Sequence, residues 1–127
     1  MPDPASTPTP EAIAGVVGSL LARYGERAAT SRAVREQHSH GEGLADPALP
    51  DVVVFAHDND EVVSIVRLCH AARVPVIAFG VGTSLEAHVA ALKGGVCIDF
   101  TQMNRVLEVN VDDMDCRVQA GVTREQL

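Results

Sequence analysis

Positive charge is scarce in this chain. Lys and Arg number 10 against 17 Asp and Glu, for a formal charge of -7 and a pI near 5.0. No basic field is available to attract nucleic acid or an anionic membrane. No apolar run reaches the roughly 18 residues that a membrane span needs. The opening "MPDPASTPTPE" has neither the apolar core of a signal peptide nor the arginines of a transit peptide. The expected location is cytoplasmic, at most peripheral to an inner membrane. Cysteines are few and unpaired: Cys69, Cys97 and Cys116 are odd in number and none belongs to a CxxC. That argues against a disulfide framework and for buried free thiols.

With 127 residues, 46% of them hydrophobic, there is material for one core and one domain. Residues 1–9, rich in Pro, Ser and Thr, are expected to be a disordered leader. Thr9 as N-cap, Pro10 at the first helical position and Glu11 behind it open a helix. Its apolar face carries Ile13, Val16, Val17, Leu20 and Tyr24, and Gly25 closes it. Residues 26–50 have little periodicity and suggest an extended polar excursion, so that 10–50 form a helix followed by an extended segment.

From residue 51 to 127 the pattern sharpens. "VVVF" at 52–55 predicts a strand, and Asp58 with Glu61 starts a helix whose stripe is Val62, Val66 and Cys69. Pro75 stops it, and "VIAF" at 76–79 predicts a second strand, parallel to the first through a right-handed crossover. A short helix capped by Thr83 or Ser84, with Leu85, Val89 and Leu92 inward, leads past "KGG" to a third strand, "VCIDF" at 96–100. "RVLEVNV" at 105–111 and "DCRVQA" at 115–120 alternate about the acidic turn Asp112 and Asp113, which predicts an antiparallel hairpin. The fold class is α+β: a parallel βαβ unit followed by an antiparallel hairpin, with a mixed sheet. "TREQ" at 123–126 has capping-box spacing with one residue after it, so the chain is expected to be the front of a longer protein, truncated at its C-terminus.

The chemistry concentrates in "AFGVGTSLEAH", residues 78–88. Gly80 and Gly82 follow a strand, where backbone N–H groups can converge on an anion without a Cβ in the way, and Thr83 and Ser84 add hydroxyls. The alternative is a tight turn holding no ligand. A nicotinamide dinucleotide site fits poorly: Asp99 lies 19 residues after Gly80, but Leu85 occupies the place of the third glycine, and the loop follows the second strand. A P-loop is excluded because no GK[ST] follows.

His38 and His40 with Glu42 could be a metal pair plus an acid, but no fourth ligand accompanies them, and solvated loop histidines are the simpler expectation. His57 and His70 are expected at the surface, and His88 is expected to be an ordinary helix histidine. No catalytic acid, base or nucleophile set is visible.

The segment from Asp51 to Leu127, with "GVGTSLE", "DFTQMNRVLEV" and "VQAGVT" in that order, resembles the flavin-binding domain of the FAD-linked oxidases of the vanillyl-alcohol oxidase and p-cresol methylhydroxylase type. Within it, the D-lactate dehydrogenase (cytochrome) and glycolate oxidase flavoprotein branch is most similar, and the likeness covers about residues 30–127. The resemblance implies FAD with its pyrophosphate at Gly80, Val81, Gly82, Thr83 and Ser84, and a second contact at Gly121 and Val122. It implies non-covalent FAD, since relatives that attach the flavin through this loop have His where Thr83 stands.

It also implies oxidation of a D-2-hydroxy acid such as D-lactate, with electrons passing to a cytochrome or quinone-type acceptor. The substrate-oxidising residues would lie in a cap domain that this chain lacks, leaving the chain alone inactive. The alternative is a non-catalytic module that binds flavin weakly or pairs with a partner. Ala56 and Ala78 stand where proline is usual, and Ala87 stands where "SLEGH" has glycine. If Ala87 required positive φ, Ala87→Gly would tighten FAD binding.

Overall fold

The structure, a computed structural model, describes residues 6–43 and 45–127. Most of the expected leader, residues 1–5, lies outside the described residues. Helix α1 (Pro10–Tyr24) begins as its sequence predicts: the Thr9 side chain accepts from the Ala12 amide at 3.1 Å, and Gly25 ends the helix with φ 57°. A single 3-10 turn (Gly25–Arg27) leads to β1 (Ala28–Ala29), then to α2 (Arg32–Gln37). Next come β2 (Val52–Phe55), α3 (Asn59–Ala72), β3 (Val76–Phe79), β4 (Val96–Asp99), β5 (Val106–Asn110) and β6 (Asp115–Val118).

The sheet order is β1-β2-β4-β3, with β2 and β3 each parallel to β4 and β1 antiparallel to β2. The two strands of the βαβ unit are therefore separated by β4. The sheet is mixed because of β1; the β5–β6 hairpin forms a two-stranded sheet of its own. Register alternates the side chains: Val52, Val54, Val96 and Ile98 face α1 and α3, meeting Val16, Leu20, Ile65 and Cys69. Val53 and Cys97 face the other way, onto Phe79, Val89 and Val34. Both central strands are sealed on both faces, as a continuous apolar run in a parallel sheet requires.

Three details depart from the sequence reading. The segment 26–50 is not simply extended: it contains β1 and the six-residue helix α2. The stripe of α3 runs through Val62, Ile65 and Cys69, while Val66 is exposed, because Ile65 completes the spacing that points at the sheet. After the glycine loop there is only a 3-10 turn (Ala87–Val89); of the three residues expected inward, Val89 is buried, but Leu85 is 75% exposed and Leu92 79% exposed.

Arg27 fastens the N-terminal part to α3. Its guanidinium donates two bonds of 2.8 Å to the Glu61 carboxylate and one of 3.2 Å to the Phe55 carbonyl. The Arg27 hydrogen bonds hold the Glu61 carboxyl down at about 2, against the opposing effect of partial burial.

Candidate functional site

The three parallel strands end in step, with Phe55 and Phe79 both opposite Asp99. Ligands of open parallel sheets sit beyond such carboxyl ends. Here a cleft of about 450 Å³ opens between two loops, lined by His38 and Glu42 on one side, Gly80 and Gly82 on the other, and Asp99 and Thr101 at its base. A second hollow of about 320 Å³ lies against the same glycine loop, reaching Thr83, Ser84 and His88.

Residues 80–84 sit where the sequence puts them, directly after β3. Gly82 has φ 74°, and a Cβ there would lie 2.6 Å from the tip of the buried Phe79 ring, so the turn itself needs glycine. Gly80 differs: its φ is ordinary, and a Cβ would meet nothing within 4 Å. Among the described residues, the amides of Val81, Gly82, Thr83 and Ser84 donate to no protein acceptor. Because no α-helix follows, an anion here would be held by loop amides alone, without a helix dipole. The Thr83 hydroxyl adds a donor. The Ser84 hydroxyl is occupied, bonding to Glu86 within its own turn and lying 3.3 Å from His88 Nδ1.

The second predicted contact is built differently. The Gly121 amide donates to the Met103 carbonyl at 2.8 Å, and a Cβ at Gly121 would overlap the Phe100 carbonyl. Gly121 is buried beneath the turn that follows β4, so close packing accounts for it, and Val122 is half-buried beside it. Ala87 lies in the 3-10 turn, and the non-glycine residues with positive φ among the described residues are Arg73 and Met114. The reason for expecting Ala87→Gly to tighten binding is thereby removed. The Ala56 amide donates to the Asp99 carbonyl at 3.1 Å, a bond that the proline usual in the family could not make.

His38 is the largest surprise. It is 6% exposed, not a solvated loop residue. Its Nδ1 donates to the Val34 carbonyl at 2.8 Å, and its Nε2 donates to Asp99 Oδ2 at 2.7 Å. The other carboxylate oxygen accepts from the Thr101 amide and hydroxyl. Burial pulls the His38 imidazole down, but its bonds to Asp99 and Val34 outweigh it and raise the pKa. For Asp99, burial pushes up, and the bonds from His38 and Thr101 bring it below its ordinary range.

Both ring nitrogens of His38 are thus engaged, which rules out the metal pair with His40 and Glu42. Among the described residues no group of three His, Cys, Asp or Glu is arranged to hold a metal. Sequence reasoning missed this pair because its members are separated by 61 residues.

His57 and His70 are exposed, as expected, and His57 Nε2 reaches Gln102 Oε1 at 2.6 Å. His88 is exposed too, in the middle of the 3-10 turn and not on an α-helix. Cys69 and Cys97 are buried, and burial pushes their thiols up to about 11 and about 12. Cys116 is exposed, against expectation, because the strands of its hairpin are open to solvent along nearly their whole length.

Comparison with known proteins gives a coherent set of likenesses. A family model described as "FAD binding domain" matches residues 50–127. The chain is 42% identical over 117 residues to "Probable D-lactate dehydrogenase, mitochondrial" of Danio rerio, covering 91% of this chain and 24% of that protein. It is 46% identical over 74 residues to "D-lactate dehydrogenase [cytochrome], mitochondrial" of Arabidopsis thaliana, covering 58% and 13%. Among solved structures, p-cresol methylhydroxylase with substrate bound superposes with a TM-score of 0.81 at 18% identity, over 94% of this chain and 24% of that one; this likeness is one of fold. The chain spans about a quarter or less of the length of these relatives.

Proposed function

The chain belongs to the FAD binding domain family, and from that premise we propose that it is the diphosphate-holding part of an FAD-dependent oxidoreductase acting on a D-2-hydroxy acid such as D-lactate. The observation that carries this is the row of unpaired amides at residues 81–84, beside a Gly80 that leaves room for close approach. In a chain of charge -7, a diphosphate is best held by neutral N–H and O–H donors fixed by the fold. Gly80, Val81, Gly82, Thr83 and Ser84 would hold that group, with Gly121 and Val122 supporting the neighbouring turn.

Thr83 offers no imidazole for a covalent bond, so the flavin is non-covalent. FAD, when bound, supplies the hydride acceptor for oxidation at C2 of the hydroxy acid, giving the 2-oxo acid. The chain's own residues bind and orient. The substrate-oxidising groups belong to a cap domain outside this chain, and the electron acceptor is a cytochrome or quinone-type carrier. The expected compartment was the cytoplasm, but the two D-lactate dehydrogenase relatives are described as mitochondrial, so that assignment draws no support from them.

One observation favours a second reading, a module that works by pairing. Leu107, Val109 and Val111 are 53%, 57% and 80% exposed on one face of the hairpin, beside Cys116 and Val118. The test is to purify the chain alone and continued through its downstream domains, then record flavin absorbance before and after adding D-lactate. Flavin retained by the longer protein and bleached by D-lactate is the expected result. Absence of flavin from both would overturn the oxidoreductase reading in favour of pairing.

A further inference from the structure

We propose that His38 is a positioning residue of the cofactor loop: clamped between the Val34 carbonyl and the Asp99 carboxylate, it holds the Phe79 ring beneath Gly82 and so fixes the shape of the glycine turn. The contacts run in an unbroken series. Asp99 Oδ2 accepts from His38 Nε2 at 2.7 Å. The His38 ring lies with its centroid 4.5 Å from that of Phe79, tilted by 49°, and it stands edge-on to Phe55 at 5.8 Å. The tip of the Phe79 ring occupies the space where a Gly82 Cβ would be. Beyond His38 the chain returns to the loop, where the Glu42 amide donates to the Ser84 carbonyl at 2.8 Å. Gly41 passes so close to that carbonyl that a Cβ would overlap it. The ion pair therefore anchors one wall of the cleft, and the amide of Glu42 ties that wall to the other.

The protonation state follows from the partners. A carbonyl can only accept, so Nδ1 must carry a proton. Asp99 already accepts two bonds from Thr101, which favours its ionised form and leaves the second proton on Nε2. The titratable groups around the ring are Asp99 and Cys97 from β4, with His40 and Glu42 from the following loop; β2 and β3 contribute Phe55 and Phe79. Losing the imidazolium charge at high pH breaks one of its two bonds and frees the ring, so the turn should loosen as pH rises through the His38 pKa.

The inference rests on the FAD reading of this loop for its consequence, but not for its detection. The experiment uses the full chain labelled with 15N in glycine and histidine, titrated from about pH 6 to pH 9. The Gly82 amide shift and the His38 ring shifts are followed together, alongside FAD affinity, by fluorescence quenching, of the chain continued through its downstream domains. The expected result is a Gly82 titration that shares the His38 midpoint, with FAD affinity falling several-fold across the same step. His38→Gln removes the step and leaves FAD about tenfold weaker at all pH values. His70→Gln, on the exposed side of α3, changes neither.

If His38→Gln fails to fold, Asp99→Asn serves, with both midpoints moved to lower pH. FAD binding by the wild type with a Gly82 shift and an affinity that ignore the His38 titration would overturn the proposal. Absence of FAD binding at every pH would instead defeat the cofactor reading, and the Gly82 titration would still decide the positioning role.

Discussion

Two neighbouring parallel strands end in opposite ways. The turn after β4 spends most of its donors internally: the Phe100 amide bonds to the Phe79 carbonyl, the Met103 amide to Phe100, and the Gly121 amide to Met103, while Asp99 takes His38 and Thr101. The loop after β3, a few ångströms away, keeps its donors at residues 81–84 unspent among the described residues. A turn whose amides are spent on the protein acts as scaffold, whereas a run of amides without protein acceptors leaves donors free for a ligand such as the proposed diphosphate. The glycines divide in the same way. Gly121 and Gly82 are required by packing or φ, whereas nothing in the fold requires Gly80.

Substitutions can test this contrast, beginning with the scaffold. Asp99→Ala leaves a buried imidazolium without its partner and is expected to cost about 3–5 kcal/mol, measured by urea unfolding. The pH dependence of that stabilisation has two edges. His38 is raised above its ordinary 6.5, so its contribution is complete below that value and is lost as pH climbs through the raised one. Asp99 is lowered from 3.8, so its contribution is present above 3.8 and is lost as pH falls through the lower value. Stability of the wild type relative to Asp99→Ala should therefore be greatest between about pH 4 and 6.5.

Gly121→Ala forces a Cβ into the Phe100 carbonyl and should cost about 1–3 kcal/mol whether or not flavin is present. Gly82→Ala meets both an unfavourable φ and the Phe79 ring, for about 1–2 kcal/mol, with FAD affinity reduced as the turn shifts. Val109→Ser, on the uncovered hairpin, should change the stability of this chain by no more than about 0.5 kcal/mol.

How far the sequence revealed all this depended on the range of each interaction. β2 and β3 appear at their predicted residues because short apolar runs bracketed by Pro50, Asp51 and Pro75 leave little freedom. The caps at Thr9 and Asp58 were equally readable, being local contacts of three residues. Helix α2 escaped notice because six residues with only Val34 turned inward make no periodic signal. The helix expected after the glycines failed for the converse reason: Leu85 and Leu92 have helical spacing, but the chain is held instead against the loop of Gly41 and Glu42. His38 was invisible as a buried residue because its partner comes from the third parallel strand, and no local pattern records that meeting. The likeness to flavin oxidases pointed to the ligand, and the structure shows that Gly82 and Gly121 are required by the fold while Gly80 is not.

The most direct measurement is FAD affinity of Gly80→Ala beside its melting temperature, in the chain continued through its downstream domains. An unchanged melting temperature without added FAD, together with affinity at least about tenfold weaker, is the expected pair of results. Wild-type FAD affinity in Gly80→Ala would contradict a diphosphate seated on this loop.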